Sequence, residues 1–382
     1  MNSFNLKIPT SIHFGPGSLN LFNDPTIIQG NILLVSTGDF LLKSGILAKI
    51  LVFLSENKAI NQPNIYTFFK VGSNPQVKEV DEAIQENLAH QIDFVVGVGG
   101  GSAMDAAKSI ALGLGNKCLI DDFYFRGKNV ANALPIIAVP TTSGTGAELS
   151  KGSILSDSSS AMKKGVRGDA LFPRHAIVDP LLTVSVPKKV TIETGFDVFA
   201  HAIETFISKK SSIFTEGLSI QALRIVTSVL PKLANDLNNE DMRIQMSYAS
   251  MIMGINLGNA STCLPHRLQY PVGAITNTSH GIGLAALYPA WVSECYPFAK
   301  GKFDYLQDEI FSKEDYESDC LVDSVSLFMS SIGLAHVSLS DLGLTANRID
   351  EMASLVTGNV GDDPSYSDKQ TIISIYQRSF ER

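Results

Sequence analysis

Runs of apolar residues, each closed by Gly, Pro or Asp, recur through the first 180 positions and predict strands at residues 31–37, 64–69, 94–99, 135–139 and 176–179. A shorter one at 11–15 is stopped by Gly-Pro-Gly. Between these runs polar positions return at helical spacing, predicting helices from Gly38-Asp39 to about Glu56, over 77–88 and over 103–114, with a turn at 72–75. Strands that are apolar on both faces and alternate with helices predict a parallel sheet covered on both sides. After Pro180 the strand signal fades, and from Thr191 to about Thr357 the apolar positions fall three and four apart, broken by Gly and Pro. The tail, 368–382, reads as a last helix behind an acidic cap. The expected fold is an α/β domain at 1–184 and an all-α domain at 185–382.

Composition narrows the class. A chain of 382 residues is long for one core, which favours two domains. Only 18% of residues are charged and 45% are hydrophobic, a balance that suits a surface partly buried against a second subunit. A net charge of −8 with scattered basic residues leaves no electrostatic footprint for nucleic acid. Lys163-Lys164, in a polar segment, reads as a solvated pair. Four cysteines without CxxC spacing indicate neither a disulfide framework nor a thiolate zinc site, so a reducing compartment is expected. Residues 1–15 lack a basic region followed by an apolar run, and no stretch of about eighteen apolar residues occurs. The expectation is a cytoplasmic protein without a membrane partner.

Three groups of residues suggest chemistry. Asp197 and His201 lie four apart in a segment free of Pro, so a helix puts both on one face. His266 and His280, fourteen apart, can complete a set of one carboxylate and three imidazoles, suited to Fe(II) or Zn(II) and poor for Mg or Ca. Gly99-Gly100-Gly101-Ser102 follows a predicted strand and opens a helix, where bare backbone N–H groups can face a pyrophosphate. It is not GxGxxG, so the common dinucleotide fingerprint is absent. The second loop, Pro140 to Glu148, also leaves a buried strand and carries hydroxyls at Thr141, Thr142 and Thr145. Two such loops at the carboxyl ends of parallel strands are where ligands sit in open sheets.

In this order the motifs resemble those of the iron-containing (group III) alcohol dehydrogenase family along nearly the whole chain. Gly99 to Ser102 with Asp105 and Lys108 is similar to GGGSxxDxxK, and Pro140 to Glu148 to PTTxGTGxE. Gly195, Asp197, His201 and Glu204 are similar to GxDxxxHxxE, and His266 and His280 fall at the spacing of the last two ligands. The resemblance implies a dehydroquinate synthase-like fold with NAD or NADP in a cleft between the domains. The pyrophosphate would lie on Gly99, Gly100, Gly101 and Ser102, near Asp105, with Thr141, Thr142 and Thr145 taking phosphate or nicotinamide-side oxygens. One divalent metal, Fe2+ or Zn2+, would sit on Asp197, His201, His266 and His280. Hydride transfer between a small alcohol or aldehyde and the nicotinamide, in a homodimer, is what the resemblance implies.

Two positions depart from the family pattern. Four residues after the third ligand, where many members carry a proton-relaying His, this chain has Tyr270, whose phenol has an ordinary pKa near ~10. A Ser/Tyr-Pro sequence at this place also occurs in hydroxyacid–oxoacid transhydrogenases of the family, an alternative activity. After the second strand Gly38 stands where NAD-specific relatives hold an Asp, which would tolerate a 2′-phosphate. Asp39 next door would select NAD(H) if the turn shifts by one residue. A dehydroquinate synthase-like lyase is the competing function, but its metal set has a Glu for the Asp and one His fewer. Glu204 reads as structural, Arg267 as holding either an anionic substrate or an acidic neighbour, Cys263 as a small buried hydrophobe and Trp291 as core or interface.

Overall fold

The computed structural model describes residues 3–57, 64–160, 162–311, 316, 318 and 320–380. Among the described residues eight strands run in chain order: β1 (Ser11–Phe14), β2 (Ile32–Thr37), β3 (Ile65–Val71), β4 (Phe94–Gly99), β5 (Ile136–Pro140), β6 (Gly152–Asp157), β7 (Met162–Arg167) and β8 (His175–Val178). In the α/β region the helices are α1 (Phe40–Lys43), α2 (Ile46–Glu56), α3 (Val77–Asn87), α4 (Gly101–Asn116) and α5 (Asp121–Tyr124). The helical region holds α6 (Lys188–Ile207), α7 (Ile213–Leu233), α8 (Glu240–Asn259), α9 (Leu264–Thr276) and α10 (His280–Cys295). It continues with α11 (Lys300–Glu309), α12 (Leu321–Ser331), α13 (Ile349–Leu355) and α14 (Lys369–Arg378).

Six strands form one parallel sheet in the order β1-β8-β5-β4-β2-β3. Successive side chains of a strand face opposite ways, and the core divides accordingly. Leu33, Val35 and Val95 pack under α3 and α4, while Ile32, Leu34, Val96 and Val98 pack under α1 and α2. The continuously apolar runs therefore mark strands buried on both faces. From β2 the chain moves outward to β3 and then returns to β4 on the other side, so the carboxyl ends of β2 and β4 flank a topological switch point.

Each predicted strand is present. The helix predicted from Gly38 to Glu56 is two pieces, because Gly45 adopts φ 74° and breaks the run between α1 and α2. The antiparallel hairpin of β6 and β7 was not anticipated. Its sequence, rich in Ser and Lys, lacks an apolar run because α4 holds it largely through polar contacts. Lys108 Nζ donates to the Gly152 carbonyl at 2.8 Å, Ile154 N–H donates to Asp105 Oδ2 at 3.0 Å, and the Ser109 and Ser153 hydroxyls meet at 2.7 Å.

The helical region has its own core around Phe196, Phe199, Tyr288, Trp291 and Phe328. By length and composition α7 could cross a membrane. Here Ala222, Leu223, Val226, Leu230 and Leu233 bury one side of it against the neighbouring α6 and α8. Asp368 caps α14 through Gln370 N–H at 2.8 Å, as the acidic cap predicts; residues 381–382 lie outside the described residues.

Candidate active site

The two phosphate-type loops meet because their strands are neighbours. Gly99 pairs with Pro140 in the sheet register, and Thr141 N–H donates to the Gly99 carbonyl at 2.9 Å. Gly100 and Gly101 face Thr142 and Thr145: a Cβ on Gly101 would lie 2.7 Å from Thr145 Cγ2 and one on Gly100 3.3 Å from Thr142 Oγ1. The amino end of α4 carries no side-chain cap, which leaves backbone N–H groups open to an anion. Ser102 turns its hydroxyl to the Ser73 carbonyl at 2.5 Å. Gly38 and Asp39 sit at the carboxyl end of β2 beside this cradle. Gly38 has φ 48° and open space around it, and Asp39 is exposed with its carboxylate 3.6 Å from Lys43 Nζ.

Close backbone approach joins the second loop to the helical region. Gly146, at φ 59°, lies so near α8 that an added Cβ would meet Gly254 Cα at 2.5 Å. Only two glycines allow that contact. The loop is thus wedged between Gly101 of the α/β region and Gly254 of the helical one.

Asp197 and His201 stand one turn apart on α6, His266 is the third residue of α9, and His280 is the first of α10. Their donors converge on Asp197 Oδ1, which is 3.6 Å from His201 Nε2, 3.3 Å from His266 Nε2 and 3.6 Å from His280 Nε2. One donor each from Asp197, His201 and His266 fit within 4.8 Å of one another, and all three residues are buried. The side chain of His280 is 27% exposed and marks the open side of the cluster. Gly281 is what lets α10 begin there, since a Cβ on it would run into the Glu193 carbonyl of α6.

Outer contacts fix the ring orientations. Glu204, fully buried one turn beyond His201, places Oε1 2.8 Å from His266 Nδ1 and accepts the Cys263 N–H on Oε2 at 2.8 Å. His280 Nδ1 is 2.6 Å from Gln269 Oε1, an acceptor, so that nitrogen carries the proton and Nε2 keeps its lone pair. Asp363 accepts the Leu264 N–H at 2.9 Å and the Trp291 indole N–H at 2.8 Å, so two carboxylates from distant segments hold the start of α9.

A divalent ion fits these residues. Asp197 Oδ1 and His266 Nε2 are buried without a hydrogen-bond partner, a costly state that a cation relieves. The set of one carboxylate oxygen and three imidazole nitrogens suits Fe(II) or Zn(II). Burial alone would raise the Asp197 carboxyl, but His201, His280 and His266 outweigh it and hold it well below the usual range. Burial pushes His201 down to about 4 and His280 down to about 3, against the pull of Asp197, leaving both as free-base ligands at neutral pH. His266 also suffers from burial, yet Glu204 and Asp197 drive it up to about 10.

Several residues read differently in three dimensions. Lys163 is not solvated: it is 8% exposed, and its Nζ donates to Asn74 Oδ1 at 2.9 Å beside Gly273 of α9. Strand alternation sends Lys164 the other way, over the Tyr124 ring at 4.7 Å. Glu204, read as structural, is the partner of a metal-site imidazole. Asp105 is directed at the β6–β7 hairpin and, with Lys108, secures β6, the strand paired with the one that carries Lys163. Tyr270 lies on the His266 face of α9, and its hydroxyl accepts from Arg267 Nη1 at 3.1 Å. Burial raises its phenol, but Arg267, Arg167, His266 and Lys163 outweigh that and bring it below the ordinary value. Gln269 and Asn74 gave no signal in the sequence, because their roles depend on partners 11 and 89 residues away.

The chain resembles known proteins over its length. The family model for iron-containing alcohol dehydrogenase matches residues 9–180, and that for the C-terminal part of the Fe-containing alcohol dehydrogenase family matches 191–380. A probable NADH-dependent butanol dehydrogenase of Bacillus subtilis is 28% identical, over 99% of this chain and 100% of that one. A solved iron-containing alcohol dehydrogenase of Thermotoga maritima superposes with a TM-score of 0.85 at 28% identity, covering 100% of both chains. A sulfoacetaldehyde reductase of Bifidobacterium kashiwanohense, solved with NAD+, superposes with a TM-score of 0.87 at 28% identity, covering 99% of each. With both halves matched and the metal-type donors gathered at their junction, the chain belongs to the iron-containing alcohol dehydrogenase family.

Proposed function

We propose that this protein transfers a hydride between a small alcohol or aldehyde and NAD(H), using a divalent metal held by Asp197, His201, His266 and His280. The observation that carries this reading is the convergence of three imidazoles on the partnerless buried oxygen of Asp197. When bound, the ion supplies Lewis-acid polarisation of the substrate oxygen and the nicotinamide gives or takes the hydride. Gly99, Gly100, Gly101 and Ser102 are assigned to the pyrophosphate, and Thr141, Thr142 and Thr145 to neighbouring oxygens. NAD(H) is favoured over NADP(H) by Asp39 at the end of β2 and by the NADH-dependent relative. Iron is favoured over zinc by the family alone, since the donor set accepts either.

The chain's own residues do the positioning. Glu204 and Gln269 hold His266 and His280 so that each presents Nε2 inward. With Arg267 donating to its oxygen, the Tyr270 phenol keeps its own proton to give to an acceptor in the cleft. Lys163, held by Asn74, lies beside Gly273 of α9, the helix that carries Tyr270. A homodimer and a cytoplasmic location belong to the same reading. Phe4, Leu6 and Ile8 leave apolar side chains exposed that a second subunit could cover, and the four cysteines are free.

The deciding assay follows reduced nicotinamide while a panel of aldehydes and alcohols is offered to protein reconstituted with Fe(II) or Zn(II). Turnover should require the metal and vanish in Asp197→Ala and His280→Ala. Undiminished turnover in those variants would refute the assignment.

A further inference from the structure

Arg267 follows the ligand His266 and is 5% exposed, yet among the described residues no carboxylate lies within ion-pair distance of its guanidinium. Its partners are neutral: Nη1 donates to the Tyr270 hydroxyl at 3.1 Å and Nη2 to Thr262 Oγ1 at 2.9 Å, while Nε has no acceptor. The nearby carboxylate of Glu204 is already engaged by His266 and the Cys263 N–H. Gly358, at φ 96°, makes room for the guanidinium, since a Cβ there would lie 3.1 Å from Arg267 Cδ. Across α9, Lys163 is a second buried cation, and its ammonium donates to the neutral Asn74 side chain. Burying a charge without a counter-charge is costly, and the planar guanidinium fork is shaped for an oxyanion.

We propose that Arg267 receives an anionic end of the substrate, so that this enzyme acts on short aldehydes or alcohols bearing a carboxylate, sulfonate or phosphonate. The proposal rests on the oxidoreductase reading above and names its substrate class. Tyr270 holds the guanidinium in place through its hydroxyl and through its ring, whose centroid is 5.8 Å from Arg267 Cζ. Lys163 adds to a positive field that concentrates anions in the cleft.

The test uses metal-loaded full-length protein with NADH and aldehydes matched in length: propanal and butanal against succinic semialdehyde, sulfoacetaldehyde and phosphonoacetaldehyde. At least one anionic aldehyde should exceed its neutral counterpart in kcat/KM by about 30-fold or more, the scale of a buried charge gaining its partner. In Arg267→Gln that ratio should fall at least about tenfold, with partial recovery in Arg267→Lys, which keeps the charge but loses the fork. Independently of turnover, the non-reducible anions phosphonoacetate and sulfoacetate should raise the melting temperature of the wild type and not of Arg267→Gln. Preference for neutral aldehydes in the wild type, or an unchanged ratio in Arg267→Gln, overturns the proposal while leaving the oxidoreductase reading intact. Arg267-dependent stabilisation by the anions without reduction of any aldehyde would support the anion site and count against the hydride-transfer reading.

Discussion

Glu204 Oε1 and His266 Nδ1 stand 2.8 Å apart, both buried, on two helices and 62 residues apart in the chain. A carboxylate behind an imidazole fixes its tautomer and raises its basicity toward a cation on the far nitrogen. Glu204→Gln keeps the shape and an acceptor but removes the charge. Metal affinity should fall about 10–100-fold, measured by competition with a chelator. Equal affinity would show that Glu204 only packs.

The metal-free protein should titrate in two opposite ways. His201 and His280 have folded pKa values of about 4 and about 3, below the ordinary 6.5. The unfolded chain then binds more protons, so their contribution is complete above about 6.5 and drains away as pH falls through 4 toward 3. His266, raised to about 10, contributes fully below 6.5 and loses that share as pH rises through 10. Denaturant midpoints across this range should decline on both sides, and His280→Gln should soften the acid limb. An acid limb identical in that variant would remove His280 from the account.

Loading the metal should release about one proton near pH 8, because His266 is the one imidazole of the cluster pushed above neutrality and must give up its Nε2 proton. Calorimetric titration in two buffers of different ionisation enthalpy measures the number directly. No release would mean that His266 is already neutral.

The Gly146–Gly254 contact predicts a steric penalty. Gly146→Ala places a methyl group against the backbone of α8 and forces a left-handed φ on alanine. A loss of about 1–3 kcal/mol in unfolding free energy is expected, together with weaker nucleotide binding as the loop backs away from α8. Unchanged stability and nucleotide affinity would argue against a tight junction.

Tyr270→Phe deletes the oxygen that accepts from Arg267 Nη1 and leaves a buried charged donor short of a partner. The cost should be about 1–3 kcal/mol in stability, read from urea unfolding. A neutral substitution would place water at that donor.

The sheet, the helical half and the Asp197/His201 pair were legible in the chain because each rests on short-range periodicity: continuous apolar strands, three-and-four spacing, and a carboxylate one helical turn from an imidazole. His266 and His280 became legible through spacing within a family pattern. The β6–β7 hairpin was not, since its burial comes from the polar side chains of Asp105, Lys108 and Ser109 on another element. Nor could local pattern show that Lys163 is buried while Lys164 is not, that Glu204 serves His266, or that Arg267 has no carboxylate partner among the described residues. Those properties belong to contacts between segments up to 89 residues apart, and such contacts exist only once the chain has folded.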